Sequence, residues 1–105
     1  MTIFEALSRM EAGTLTAEQL VRDCLRVIEE KDGTVGAFLE VFADEAIKRA
    51  QEIDARRSRG ELLGALAGIP ISIKDNLLYS GHAVTASSKI LEGYTATYTA
   101  TVVQK

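Results

Sequence analysis

Two helix-start signatures constrain the first part of this chain more than any other feature. Thr2 with Glu5, and Thr16 with Gln19, each put a hydroxyl at an N-cap and a carboxyl or carboxamide three residues later. That spacing lets the two side chains satisfy each other's otherwise orphaned backbone N–H groups. The first box predicts a helix with Ile3, Leu7 and Met10 on one side, stopped by Gly13. The second predicts a longer helix with a staple between Leu15 and Leu20 and a buried stripe of Leu20, Val21, Cys24, Leu25 and Ile28, ending at Asp32-Gly33. A third helix is expected from Asp44 to Ser58, with Ala46, Ile47, Ala50 and Ile53 inward and outward pairs Glu45–Arg49 and Glu52–Arg56.

Between and after these helices the pattern changes period. Ala37 to Phe42 is short and rich in strand formers, so it reads as a first strand. Arg59 to Gly68 reads as a connector and Ile69 to Lys74 as a second strand, entered after Pro70, which has no N–H for a ladder. Asp75-Asn76 is turn chemistry, and Leu77–Tyr79 and His82–Thr85 read as two short extended pieces about Ser80-Gly81. Ser87 or Ser88 can cap a short helix through Leu91, and the Thr alternation from Tyr94 onward matches a strand. The end at Val102-Val103-Gln104-Lys105 has no Gly, Pro or polar tail, which suggests a segment cut from a longer chain.

At 105 residues, 47% hydrophobic and 26% charged, the chain has the make-up of one globular domain, with neither an internal repeat nor a linker long enough to divide it. A formal charge of -3 gives no basic field for nucleic acid. The cluster Arg56-Arg57-Ser58-Arg59 falls in the last turn of a predicted helix, where cations suit the dipole, and reads as a solvated helix end rather than an RNA contact. Cys24 is the single cysteine, on an apolar helix face, which suits a reducing compartment and a core role. The N-terminus lacks the features of a signal peptide and no stretch is long and apolar enough to span a bilayer, so a cytoplasmic or organelle-matrix location with no membrane partner is expected.

The chemistry centres on Gly68-Ile69-Pro70-Ile71-Ser72-Ile73-Lys74-Asp75-Asn76. Isoleucines at 69, 71 and 73 share one face of a strand, and Pro70, Ser72 and Lys74 share the other. Taken alone, a lysine at a strand end is most often a solvated charge. Walled off from water, it would lose its proton more easily and become a neutral amine able to take one from a hydroxyl. Ser72, Ser80, Ser87 and Ser88 are the local hydroxyls, and none stands in a glycine-flanked nucleophile elbow. His82 is the only histidine and has no ligand-spaced partner, so no metal site is expected. Gly64-Ala65-Leu66-Ala67-Gly68 lacks the Lys-Ser/Thr that a phosphate loop needs. Asp75 and Asn76 either orient Lys74 or shape the turn.

Leu66-Ala67-Gly68-Ile69-Pro70-Ile71-Ser72-Ile73-Lys74-Asp75-Asn76 closely resembles the start of the amidase-signature family, whose members hydrolyse or transfer from amide bonds. The continuation through Gly81, Thr85-Ala86-Ser87-Ser88-Lys89-Ile90-Leu91-Glu92 and Tyr98-Thr99-Ala100-Thr101-Val102-Val103 is similar to the branch formed by the A subunits of glutamyl-tRNA(Gln) and aspartyl-tRNA(Asn) amidotransferases. The resemblance covers essentially the whole chain. It implies an α/β class: N-terminal helices plus the first strands of a mixed β-sheet flanked by helices, incomplete, with residues 1–105 a single N-terminal portion of the domain.

The resemblance also implies that Lys74 is the base of a serine, cis-serine and lysine triad whose two serines lie in a later glycine- and serine-rich signature that this sequence does not contain. The isolated chain is therefore expected to be catalytically inactive. The implied reaction is release of ammonia from glutamine to convert a misacylated aminoacyl-tRNA, in a complex with B and C subunits. This chain is expected to hold no cofactor; ATP and Mg2+ would be used by the complex through its B subunit. The family often has an aspartate where Thr99 stands, and a threonine can cap equally well, so a helix beginning near Thr99 is preferred over the strand that the alternation suggests. Another amidase-signature hydrolase of small amides, or a non-catalytic α/β interaction module, are the alternatives.

Overall fold

A computed structural model describes all residues from Met1 to Lys105. The elements in chain order are α1 (Ile3–Glu11), α2 (Ala17–Val35), α3 (Ala43–Ser58), a 3-10 turn (Lys89–Leu91) and α4 (Thr101–Gln104). The chain divides into two compact units, Met1–Pro70 and Ile71–Lys105.

In the first unit, both capping boxes form. Thr2 Oγ1 accepts from Glu5 N at 3.2 Å while Glu5 Oε2 accepts from Thr2 N at 2.6 Å. Thr16 and Gln19 make the same exchange at 3.1 and 2.9 Å. The α2 terminus has a further partner from far along the chain. The Asp54 carboxylate, on α3, accepts from Ala17 N at 2.8 Å and Glu18 N at 3.0 Å. Three of the four orphan donors of that helix start, at residues 17 to 19, are thus paired by Asp54 and Thr16, and a carboxylate there also suits the dipole.

The apolar stripes converge on a small core of Ala6, Met10, Leu15, Ala17, Val21 and Ala50, with Leu7, Leu20, Leu25, Ala46, Ile47, Ile53 and Ile69 packed against it. Gly68 completes it by having no side chain: a Cβ there would lie 2.9 Å from Met10 Sδ and 3.0 Å from Ala17 Cβ, and its φ of +95° also favours glycine. The backbone at Gly68 can therefore pass directly over Met10 and Ala17.

Two local expectations are corrected in this unit. α2 does not stop at Asp32-Gly33 but continues to Val35 and ends on Gly36, in the left-handed region at φ 64°. A helical glycine costs only about 1 kcal/mol, and Asp32 serves the end from inside: its carbonyl accepts from Gly36 N at 2.7 Å and its Oδ1 from Ala37 N at 2.6 Å. Arg56 pairs not with Glu52 but with Glu61 at 3.3 Å, which Arg59 also grips at 2.7 Å.

The larger correction concerns the sheet. The helical half of the expected α/β class is present; its strands are not. Ala37–Phe42 and Ile69–Lys74 carry no ladder, and the only β pairing is an isolated antiparallel bridge between Ala83 and Thr95. An extended segment becomes a strand only when a neighbour takes its N–H and C=O groups, and these two find no such neighbour. The alternation of the Ile69–Lys74 run does not divide inside from outside either, since Ile71 is 70% exposed.

In the second unit the expected turn at Ser80-Gly81 closes through His82 N to Tyr79 O at 3.0 Å, and the His82–Thr85 piece then pairs with the segment from Tyr94 onward. Gly81 N donates to Ala96 O and Ala96 N to His82 O, both at 2.9 Å, burying Val84 and Ala96. A helix does form near the C-terminal end in place of a strand, as preferred, but it starts after Ala100 with no side-chain cap. Thr99 Oγ1 instead accepts from Ser80 N at 3.1 Å. The short helix expected after Ser88 is the single 3-10 turn Lys89–Leu91.

Candidate active site around Lys74

Lys74 lies in the second unit, exposed, at the first corner of the Asp75-Asn76 turn. Its carbonyl accepts from Leu77 N at 2.9 Å, which closes that turn. The following residue is held more firmly. Asp75 Oδ1 accepts from Thr85 N at 2.9 Å, Asp75 Oδ2 accepts a short hydrogen bond from the Thr85 hydroxyl, and Asp75 O accepts from Ala86 N at 2.9 Å. The choice left open by the sequence, whether Asp75 shapes a turn or orients the lysine, thus has a structural content. Asp75 joins the Lys74 turn to a second turn ten residues later.

That second turn is unusual in its backbone. Ala86 and Ser87 have φ of 46° and 59°, a region that residues with a Cβ seldom occupy. Thr85 holds both ends: its Oγ1 accepts from Ser87 N at 3.3 Å and its carbonyl from Ser88 N at 2.8 Å. The Thr85 hydroxyl first, then the Thr85 N–H, hold the Asp75 carboxyl below the usual aspartate value; partial desolvation opposes them, and the Ser87 N–H and the Lys74 charge add smaller pulls downward.

The candidate serines are scattered through this unit. Ser72 is exposed on the irregular run, Ser80 sits in the turn tied to Thr99, and Ser87 and Ser88 lie in the Thr85 turn. No hydrogen bond joins any of their hydroxyls to the Lys74 amine. His82 stacks on Tyr79 with ring centroids 4.1 Å apart, and its Nδ1 lies 3.0 Å from Ser80 O. A carbonyl only accepts, so that nitrogen carries the proton. No group of three or more His, Cys, Asp and Glu side chains comes together to hold a metal, and no helix is long and apolar enough to cross a membrane.

In the first unit, Cys24 is a free, half-buried thiol on α2. The arginine cluster at the end of α3 is not one continuous patch. Arg56 and Arg59 share Glu61, while Arg57 turns inward and donates from Nη2 to Ala67 O at 3.0 Å. The partner that sequence reasoning missed is Thr85. Nothing local to it marks it out, because a hydrogen bond across ten residues of irregular chain has no period.

Comparison with known proteins agrees with the motif. The amidase family model matches residues 19–105. The A subunit of the glutamyl-tRNA(Gln) amidotransferase of Methanothermobacter thermautotrophicus is 47% identical over 91 residues, 87% of this chain and 20% of the relative. That of Symbiobacterium thermophilum is 45% identical over 95 residues, 90% of this chain and 20% of the relative. That of Fusobacterium nucleatum is 41% identical over 105 residues, all of this chain and 22% of the relative. The chain thus spans about a fifth of the length of these curated relatives. Among solved structures, an inhibitor-bound vestigial protein complex, described as revealing the evolutionary origins of an s-triazine catabolic enzyme, matches with a TM-score of 0.92 and 31% identity over 99% of this chain and 23% of that one. With the match running through Lys74, Asp75 and Thr85, this chain belongs to the amidase family.

Proposed function

We propose that this chain is the N-terminal, lysine-bearing part of the A subunit of a glutamyl-tRNA(Gln) amidotransferase, and that Lys74 is its catalytic base. The observation that carries the reading is identity of 41 to 47% to A subunits over most or all of the chain. In this reading the rest of the domain supplies two serines, covers Lys74 so that its amine is neutral, and offers strand partners to the Ile69–Lys74 run.

The chemistry then follows from the amine. Lys74 Nζ takes a proton relayed through the bridging serine from the second serine, whose oxygen attacks the side-chain carbonyl carbon of glutamine. The tetrahedral oxyanion collapses, the C–N bond breaks, and the nitrogen leaves as ammonia with the proton returned from Lys74. Water then cleaves the glutamyl ester by the same route, giving glutamate. Ammonia would pass to a B subunit that uses ATP and Mg2+ on the glutamate carried by tRNA(Gln), and a C subunit would complete the complex. No residue of this chain is assigned to ATP or Mg2+. The same chemistry on aspartyl-tRNA(Asn) differs only in the tRNA, and a cytoplasmic or organelle-matrix setting suits either.

A hydrolase of small amides is the second reading, favoured by the 31% identical structure related to an s-triazine catabolic enzyme. Comparing ammonia release from glutamine with that from simple amides, in the complete protein with its partner subunits, separates the two. In the same preparation Lys74→Met is expected to lower glutamine hydrolysis about 10²- to 10⁴-fold. Lys74→Arg should fare no better, because arginine keeps the charge but cannot give up its proton. Undiminished hydrolysis by Lys74→Met would refute the base assignment. The 105-residue chain by itself is expected to release no ammonia from glutamine.

A further inference from the structure

We propose that Asp75 and Thr85 form a clasp that positions Lys74: by holding the Thr85 N–H and hydroxyl, the Asp75 carboxylate fixes the backbone from which the lysine amine reaches its target. The inference rests on the reading of Lys74 as a base and extends it to two residues that the triad does not include.

A lysine side chain has four rotatable bonds, so its amine is placed accurately only if its root is fixed. In a sheet, the ladder would do this. Within these 105 residues the 69–74 run has no ladder; one supplied by the rest of the domain would hold the chain before the lysine, whereas the Asp75 bonds grip the backbone immediately after it. Asp75 holds the second turn at three points, through Oδ1 to Thr85 N at 2.9 Å, through Oδ2 to the Thr85 hydroxyl, and through its carbonyl to Ala86 N at 2.9 Å. A hydroxyl and an amide donating to one ionised carboxylate make stronger bonds than neutral pairs.

The backbone supplies a second, independent sign. A turn serving only to reverse the chain would put glycine or asparagine at left-handed positions. Here Ala86 and Ser87 occupy them at φ 46° and 59°, and such conformations persist where surrounding bonds over-determine them, commonly at functional sites. Thr85 supplies those bonds to Ser87 N and Ser88 N. The two Thr85 donors also draw the Asp75 carboxyl below its ordinary value, which favours the ionised form that accepts both bonds.

The test uses the complete protein with its partner subunits, measuring kcat and KM for glutamine in Asp75→Asn, Thr85→Val, Thr85→Ser and Lys74→Met, with a melting curve for each. Thr85→Val is close to isosteric and removes the hydroxyl's two bonds, to Asp75 Oδ2 and from Ser87 N, while leaving the Thr85 N–H free to donate to Asp75. We expect Asp75→Asn and Thr85→Val to lower kcat about 10- to 100-fold, with KM changed by no more than about two-fold, because a misplaced base loses turnover rather than binding. Thr85→Ser, which keeps the hydroxyl, should recover most of the loss. Full activity in Lys74→Met overturns the base assignment, and the clasp with it. An inactive Lys74→Met beside unchanged kcat in Asp75→Asn and Thr85→Val overturns the clasp alone. Equal impairment of the Ser and Val variants, or a loss confined to melting temperature with kcat intact, assigns Thr85 to packing and also overturns it.

Discussion

Different physics organises the two units of this chain. Met1–Pro70 buries Ala6, Met10, Leu15, Ala17, Val21 and Ala50 in one cluster, whereas Ile71–Lys105 buries only Val84 and Ala96 and is organised by hydrogen bonds between turns. Burial is non-directional and tolerates small shifts, while a hydrogen bond fixes one donor against one acceptor. The difference teaches where to look for chemistry: the helical unit can serve as scaffold, and the unit that fixes directions carries the lysine.

Substitutions can break this contrast, beginning with the packed unit. Gly68→Ala puts a Cβ against Met10 Sδ and Ala17 Cβ at a positive φ. The strain and overpacking together are expected to cost about 2–4 kcal/mol, seen as faster hydrogen exchange throughout α1 and α2. Exchange unchanged from the unaltered protein would mean that the Gly68 approach is not tight. Asp54→Ala removes the carboxylate that caps α2 through Ala17 N and Glu18 N. A loss of about 1–2 kcal/mol is expected, with the amides of the first turn of α2 exchanging fastest; Asp54→Asn, which keeps one acceptor oxygen, should lose less.

The smallest effect belongs to the hydrogen-bonded unit and is read by acid titration. The folded-state value of Asp75 is depressed, so the stability that its bonds contribute is fully present above the unfolded aspartate value and is lost only as pH falls through the lower folded one. The Thr85 and Ala86 amide resonances should therefore move with a midpoint below the ordinary aspartate value as pH falls from 7. In Thr85→Val the transition should shift back upward, because the largest stabilising bond is gone. A normal Asp75 titration in the unaltered protein would remove the clasp from the account.

What the sequence reveals follows the same division. Both capping boxes, the three N-terminal helices and the inward face of the third are legible because helix signals repeat within four residues, whereas Ile3 is 51% exposed and Cys24 and Ile28 lie outside the core cluster. The end of α2 is misplaced because two glycines compete there, and Gly36 is preferred to Gly33 by a carbonyl and a carboxylate of Asp32 that reach forward. The expected strands rest on alternation, which reports a side-chain pattern but not whether a partner strand exists to receive the N–H groups. Thr99 is a reasonable cap on composition, yet its hydroxyl is taken by Ser80 N, nineteen residues back. Lys74 stands out because its surrounding motif is distinctive, whereas Asp54 capping α2 and Thr85 holding Asp75 join distant segments and leave no periodic trace.

The most direct test places one residue from each unit in the same assay. In the complete protein with its partner subunits, thermal stability and ammonia release from glutamine would be measured for Asp54→Ala and Lys74→Met. We predict that Asp54→Ala melts lower but keeps its turnover per folded molecule, and that Lys74→Met melts as the unaltered protein does while turnover is lost. Turnover that survives in Lys74→Met, or falls equally in both, would contradict the assignment of scaffold to the helices and of chemistry to the lysine turn.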